Sequence, residues 1–141
     1  MKILVYLTYA AIFTYCYFSL NKKLRNLWIL IGYPLFFCAS IYPIKLIFDA
    51  MVRDMGKAQA GEWLLLMLYA VSMLSLFNFS YGIVNNMVNR LVGFQQQYGA
   101  PERQPVKWYI NNRPHIMNAY HYFFYTGGLI LYAVVVFKSN I

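Results

Sequence analysis

The chain has few acidic residues, few histidines and few cysteines. Its 141 residues include four carboxylates, two histidines and two cysteines. All four acids lie in polar links or at helix ends, and these are Asp49, Asp54, Glu62 and Glu102. None is spaced with a histidine as a zinc motif or an acid–base pair requires. Phosphate-binding glycine loops and a G-x-S-x-G elbow are also missing. We therefore predict that the protein is not an enzyme and holds no metal ion.

Charge of either sign is scarce, whereas apolar residues are abundant. Charged residues make up 11% of the chain and apolar residues 61%, and a soluble domain carries roughly 25% charged residues. Apolar runs cover residues 3–20, 27–48, 63–84 and 116–137. Each run is near the ~20 residues that a helix needs to cross a bilayer. Backbone groups in lipid must be satisfied locally, and barrel-type alternation is absent, so the runs indicate helices.

The predicted fold is an all-α integral membrane protein with a single domain, residues 1–141. Four transmembrane helices, in an antiparallel up-down arrangement, are expected at about 3–20, 27–55, 62–92 and 114–138. An interfacial loop, residues 93–113, is expected between helices three and four. The short polar link at 21–26 predicts that helices one and two are neighbours. The first run is interpreted as a retained helix, because only Lys2 precedes it and no cleavage signature follows.

Basic residues exceed acidic ones by eight. Because they cluster in juxtamembrane links, they predict contact with anionic lipids and not with nucleic acid. The expected headgroup-binding residues are Lys22, Lys23, Arg25, Arg90, Arg103, Lys107 and Arg113. These seven cations face five on the opposite side, so the positive-inside rule favours both termini outside.

Polar and small residues recur at helical spacing on the last two predicted helices. On helix three they are Ser75, Asn78, Gly82, Asn85 and Asn89. On helix four they are Asn118, His121, Tyr125, Gly128 and Tyr132. We call these sets the two polar stripes and predict that they pack against each other or against a common partner. The alternative is a polar pathway, or a pocket for a quinone or a lipid headgroup.

The two histidines do not form a metal site. His115 and His121 are six residues apart, which turns them roughly 120° from each other on a helix. A haem usually takes a second imidazole from another helix, and this chain has no histidine elsewhere. A haem held by one histidine, or shared with another subunit, is the alternative. We predict that the histidines make interfacial or interhelical hydrogen bonds and hold no cofactor, and we assign most tyrosines and phenylalanines to the lipid-facing surface or the aromatic belt.

These observations predict a non-catalytic accessory subunit of a larger membrane protein complex, with energy-transducing complexes as one candidate class. Its expected partners are other membrane protein subunits and anionic lipids, with no small-molecule substrate. The expected location is the bacterial cytoplasmic membrane or the mitochondrial inner membrane. Two alternatives are a small bacterial immunity or exclusion protein that blocks a toxin or phage, and an oligomeric transporter or channel. The immunity alternative rests on architecture alone.

Overall fold

Nearly all of the chain is helical. The computed structural model describes residues 1–139 and Ile141, and these contain no strand. Its elements are α1 (Lys2–Thr14), a π-helical segment (Tyr15–Leu20), α2 (Asn21–Lys23), α3 (Asn26–Met55), α4 (Lys57–Tyr98), α5 (Val106–Asn111) and α6 (Arg113–Lys138). Four of the described stretches are long and apolar enough to cross a membrane, namely Lys2–Lys23, α3, α4 and α6. The all-helical class and the four apolar spans agree with the prediction, and they indicate a membrane-embedded protein.

Helix α4 is longer than predicted at both ends. It contains 42 residues, which corresponds to about 63 Å at 1.5 Å per residue and is twice the thickness of the hydrocarbon core. Gly61 and Gly93 lie inside it. A glycine weakens a helix by only about 1 kcal/mol, so a helix of this length tolerates both. The helix starts after Gly56, the residue that follows the end of α3. Its φ of 84° is a backbone conformation that favours glycine.

The expected loop at 93–113 is correspondingly shorter. Residues 93–98 continue α4, and α5 occupies Val106–Asn111. The irregular part is thus residues 99–105, where Pro101 and Pro105 disfavour helix, together with Asn112 between α5 and α6. Pro114 lies in the first turn of α6, where its fixed φ suits a helix start.

Seven of the 25 tyrosines and phenylalanines (14 and 11) are buried in the core, and the assignment of most of the others to the lipid-facing surface or the aromatic belt stays a prediction. The buried members are Tyr9, Phe13, Tyr17, Tyr33, Phe77, Tyr81 and Tyr132. Tyr9, Phe13 and Tyr17 are spaced by four along the first span, and Phe13 and Tyr17 are fully buried. Phe13 stacks on Tyr125 of α6, with ring centroids 5.6 Å apart. The rings therefore join the first span to α6 and α4.

The π-helical segment explains how one face of the first span stays buried. Residues four apart drift by about 40° per step around an α-helix. A π turn holds more residues than an α turn, which opposes that drift. Tyr9, Phe13, Tyr17 and Asn21 are consequently all buried, although three steps of an ideal α-helix would turn the last one by about 120° from the first.

Gly128 allows α6 to approach both α1 and α4. A Cβ at this position would lie 2.8 Å from Cζ of Phe13 and 3.2 Å from Cδ2 of Phe77. At the adjacent Gly127, a Cβ would lie 3.7 Å from Cε1 of Phe77, which is an ordinary contact. Packing therefore requires a glycine at Gly128 but not at Gly127.

We expect Gly128→Ala to lower the free energy of unfolding by about 1–3 kcal/mol, because the methyl group overlaps the buried Phe13 ring. Gly127→Ala is the matched control and should be neutral or gain up to about 1 kcal/mol of helix propensity. Reversible unfolding in mixed detergent micelles measures both. Equal stability of the two variants would contradict this account of the α1–α6 contact.

Candidate functional site

A buried amide cluster joins three membrane-crossing segments. Asn21 Nδ2 donates to Asn78 Oδ1 at 2.6 Å, and the Tyr33 hydroxyl donates to Asn21 Oδ1 at 2.8 Å. Asn78 Nδ2 donates in turn to the Leu74 carbonyl at 2.7 Å. Asn21 and Asn78 are 2% and 0% exposed. Buried amides need hydrogen-bond partners, and these residues supply them to one another across the first span, α3 and α4.

The sequence indicated only half of this cluster. Asn78 belongs to the polar stripe predicted on helix three, but Asn21 was assigned to the polar link. Asn21 and Asn26 flank the same run of basic residues, and nothing in their spacing distinguishes the buried one. Asn21 is buried because it follows the π-helical segment on the face that holds Tyr17.

His121 is the second buried polar centre. Its Nε2 lies 3.1 Å from Asn85 Oδ1, and since an amide oxygen only accepts, Nε2 carries the proton. The imidazole stacks on Tyr81, with centroids 4.1 Å apart and planes inclined by 18°. Tyr17 meets it edge-on at 6.1 Å. Nδ1 of His121 has no hydrogen-bond partner among the described residues. The geometry is that of a packed imidazole with one interhelical hydrogen bond.

The remaining stripe residues on α6 turn toward the first span. The Tyr125 hydroxyl lies 2.8 Å from Thr14 Oγ1, and the Tyr132 ring lies 3.9 Å from that of Tyr9. Gly128 faces Phe13, as described above. Asn118 is exposed, as is the other histidine, His115.

The stripe on α4 divides among several neighbours. Asn89 accepts a hydrogen bond from Arg113 at the start of α6. Gly82 faces α3, since a Cβ there would lie 3.0 Å from Ile29 Cγ2 and Leu30 Cδ2. Ser75 is buried, with no hydrogen-bond partner for its Oγ among the described residues. The structure thus joins the two stripes directly at Asn85–His121. Of the other members, Asn78 contacts α2, Gly82 contacts α3, and Tyr125, Gly128 and Tyr132 contact α1.

Seven cations were predicted to meet lipid headgroups, and hydrogen bonds to α4 bring two of them, Arg90 and Arg113, close together. Arg113 bonds to Asn89, one residue from Arg90, whose Nε donates to Asn86 Oδ1 at 3.0 Å. Lys107 pairs with Glu102 at 3.1 Å on the surface, where such pairs contribute little. Exposed side chains also include Lys22, Lys23, Arg25 and Arg103.

An apolar groove lies between the first span and the part of α3 from Trp28 to Phe36, with α4 residues along its floor. One part, of about 420 Å³, is lined by residues that include Leu4, Thr8, Phe36 and Ala70. The adjoining part, of about 290 Å³, is lined by residues that include Leu20, Trp28 and Gly32. Ile12, Phe36 and Leu74 line both parts. The predicted neighbours, helices one and two, therefore meet through Asn21 and Tyr33 and leave an open surface groove beyond that contact.

No family model, curated protein or solved structure matches this chain. Among residues 1–139 and Ile141, no group of three or more His, Cys, Asp or Glu side chains is placed to hold a metal ion. The features available for a functional argument are therefore the buried polar contacts, the cationic surface and the apolar grooves of a membrane-embedded protein.

We expect Asn21→Leu and Asn78→Leu each to destabilise the protein by about 1–3 kcal/mol, because each leaves a buried amide without its partner. The double variant should cost less than the sum of the two, since no amide is left unpaired. Asn118→Leu, at an exposed position, is the control and should change stability by no more than ~0.5 kcal/mol. A double-mutant cycle in detergent measures the coupling. Additive losses, or single losses no larger than that control, would contradict a coupled amide pair.

Proposed function

We propose that the protein is a non-catalytic accessory subunit that receives one transmembrane helix of a larger membrane protein complex in the groove between α1 and α3. The observation that carries this proposal is the open apolar groove between two consecutive spans. Lipid chains cover any membrane surface, so an apolar face alone does not identify a partner. The length of the groove and the small residues along it are what favour a helix.

The groove is long enough for a membrane-crossing helix. Its wall on the first span runs from Leu4 in α1 to Leu20 in the π-helical segment, sixteen residue steps that cover about 24 Å along the axis. That is most of the ~30 Å hydrocarbon core. Along α3 the wall extends from Trp28 to Phe36. A helix seated here would contact two spans and the α4 floor at Leu74.

Gly32 supports close approach of another backbone. A Cβ at Gly32 would meet no atom within 4 Å, so no neighbour within the chain requires a glycine here. Gly82 and Gly128, by contrast, are tightly packed against side chains of the same protein. Thr8 and Ala70 add further small residues to the groove. Small residues are enriched where membrane helices dock, because they let backbones come close.

The two alternative functions receive less support from the described geometry. A transporter or channel would use the polar stripes to line a pathway, whereas Asn78, Asn85 and Asn89 all bond to side chains of the same chain. An immunity or exclusion protein would use the same apolar surface transiently. It would therefore be isolated from its own membrane as a lone monomer.

We also propose the antiparallel up-down topology with both termini outside. Lys2 Nζ donates to the Ser139 carbonyl at 2.5 Å, so the start of α1 lies beside the end of α6. Near the other end of the first span, the Phe18 ring lies 5.8 Å from that of Tyr122. These two contacts support opposite directions for α1 and α6, and the excess of cations in links one and three favours their cytoplasmic or matrix location.

Single cysteines test this topology in a background carrying Cys16→Ala and Cys38→Ser. Cysteines at Lys57 and Lys138 should react with an impermeant thiol reagent added outside intact cells or organelles. Cysteines at Lys23 and Gln97 should react only after the membrane is opened. Labelling of Lys57 and Gln97 from the same side would contradict the proposed crossing of α4.

Affinity capture in mild detergent tests the accessory function. The tagged chain should co-purify with a larger membrane complex at fixed stoichiometry. Gly32→Leu should reduce capture at least tenfold, because the side chain fills the groove without displacing any contact within the chain. Cys38→Leu is the matched control, since Cys38 is exposed on α3 and does not line the groove.

Both variants should retain the unfolding temperature of the parent chain, which separates loss of docking from loss of fold. Recovery of a homo-oligomer alone would favour the transporter alternative, and recovery of a monomer alone would favour the immunity alternative. Equal capture by the two variants would contradict docking in the α1–α3 groove.

A further inference from the structure

A second groove lies between α4 and α6, and Tyr109 of α5 also lines it. Its volume is about 860 Å³, within the range of roughly 300–1,000 Å³ typical of ligand sites. Ile83, Val84, Met87 and Leu91 form the α4 wall, and Tyr120 and Phe124 form the α6 wall. This lining presents hydrocarbon and aromatic rings, which suits an acyl chain.

One cation completes the lining. Arg90 borders the groove, and its Nε is held by Asn86 Oδ1. A guanidinium has five N–H donors, so four remain for an anion. Among the described residues, no acidic side chain lines the groove. Arg113 is hydrogen-bonded to Asn89, the residue next to Arg90, and adds positive charge nearby. The charge of this end of the groove is thus complementary to a phosphate.

The groove crosses the boundary between apolar and polar parts of α4. Its α4 lining starts at Ile83 and ends at Leu91, about 12 Å along the axis. The apolar run ends at Val84, and Asn85 and Asn86 follow it. Tyr109 and Tyr120 also line the groove, and tyrosines are enriched at the membrane–water interface. A ligand here would have its apolar part in hydrocarbon and its charged part at the headgroup level.

We propose that this groove binds one anionic glycerophospholipid, with an acyl chain along Val84, Met87 and Phe124 and the phosphate against Arg90. The site gives a defined place to the contacts with anionic lipid that the sequence predicts, and it goes beyond the proposed function. Docking of a partner helix between α1 and α3 involves other residues. The two sites are therefore tested by separate measurements.

Native mass spectrometry of the full chain tests the site. The protein is equilibrated with vesicles of equimolar phosphatidylglycerol and phosphatidylcholine of identical acyl chains and then released into mild detergent. We expect one phosphatidylglycerol per chain to be retained, and Arg90→Gln to lower the ratio of retained phosphatidylglycerol to phosphatidylcholine about fivefold. That factor corresponds to the ~1 kcal/mol contributed by one cation near anionic lipid.

Arg53→Gln is the matched control, because Arg53 is exposed in the last turn of α3 and lines none of the grooves described here. It should leave the ratio unchanged. Val84→Trp, which fills the groove, should reduce retention of both lipids. The unfolding temperature of each variant shows that the fold is intact.

Equal retention of the two lipids by the parent chain would mean ordinary boundary lipid and would overturn the proposal. An equal effect of Arg90→Gln and Arg53→Gln would overturn it as well, because attraction would then be general. Retention of phosphatidylglycerol together with failed capture of a partner complex would contradict only the accessory function. Capture of the complex by Arg90→Gln with a lowered lipid ratio would support both sites independently.

Discussion

The structure depends on satisfying polar groups that lie among apolar helices. Water is not available there to compensate an unpaired amide, so a buried amide without a partner is costly. Asn26 Oδ1 is a buried amide oxygen that has no hydrogen-bond partner among the described residues. Asn21 and Asn78 are hydrogen-bonded to each other, and the Tyr33 hydroxyl donates a hydrogen bond to the amide oxygen of Asn21. This contact fixes the end of the first span against α3 and α4. The aromatic rings between α1 and α6 then have a defined register in which to pack.

The hydropathy of the sequence was enough to predict the number of spans and the helical class, because crossing lipid requires a long apolar helix and little else. It could not predict where α4 ends. Neither hydropathy nor periodicity contains a stop signal between Asn85 and Tyr98, and the helix continues to Gly99 before the proline-containing segment. Hydropathy indicates which part of a helix lies in the bilayer. The end of the helix depends instead on helix-breaking residues beyond that part.

Which face of each helix is buried was harder to predict. Regular 3.6-residue spacing identified Asn78, Asn85 and His121 as inward-facing polar residues, and all three make hydrogen bonds to other side chains. Extrapolating one straight face along α4 nevertheless implied a single neighbour, whereas residues one turn apart contact α3, α6 and the first span. The π-helical segment has more residues per turn, which a fixed 3.6-residue period does not predict. This change places Asn21 on the buried face.

The glycines distinguish surfaces that the chain uses itself from those it leaves open. At Gly82 and Gly128 the missing side chain is replaced by Ile29, Leu30 or Phe13 of neighbouring helices, so internal packing alone explains the glycine. At Gly32 a Cβ would meet none of the described residues within 4 Å, although an alanine would stabilise the helix by about 1 kcal/mol. Gly61 and Gly93 are equally unfilled, but they lie outside the apolar run 63–84 of α4. Gly32 therefore lacks an explanation within the folded chain. Contact with a second backbone supplies one, and it is this difference between filled and unfilled glycines that makes the α1–α3 groove a better candidate for protein docking than the rest of the lipid-exposed surface.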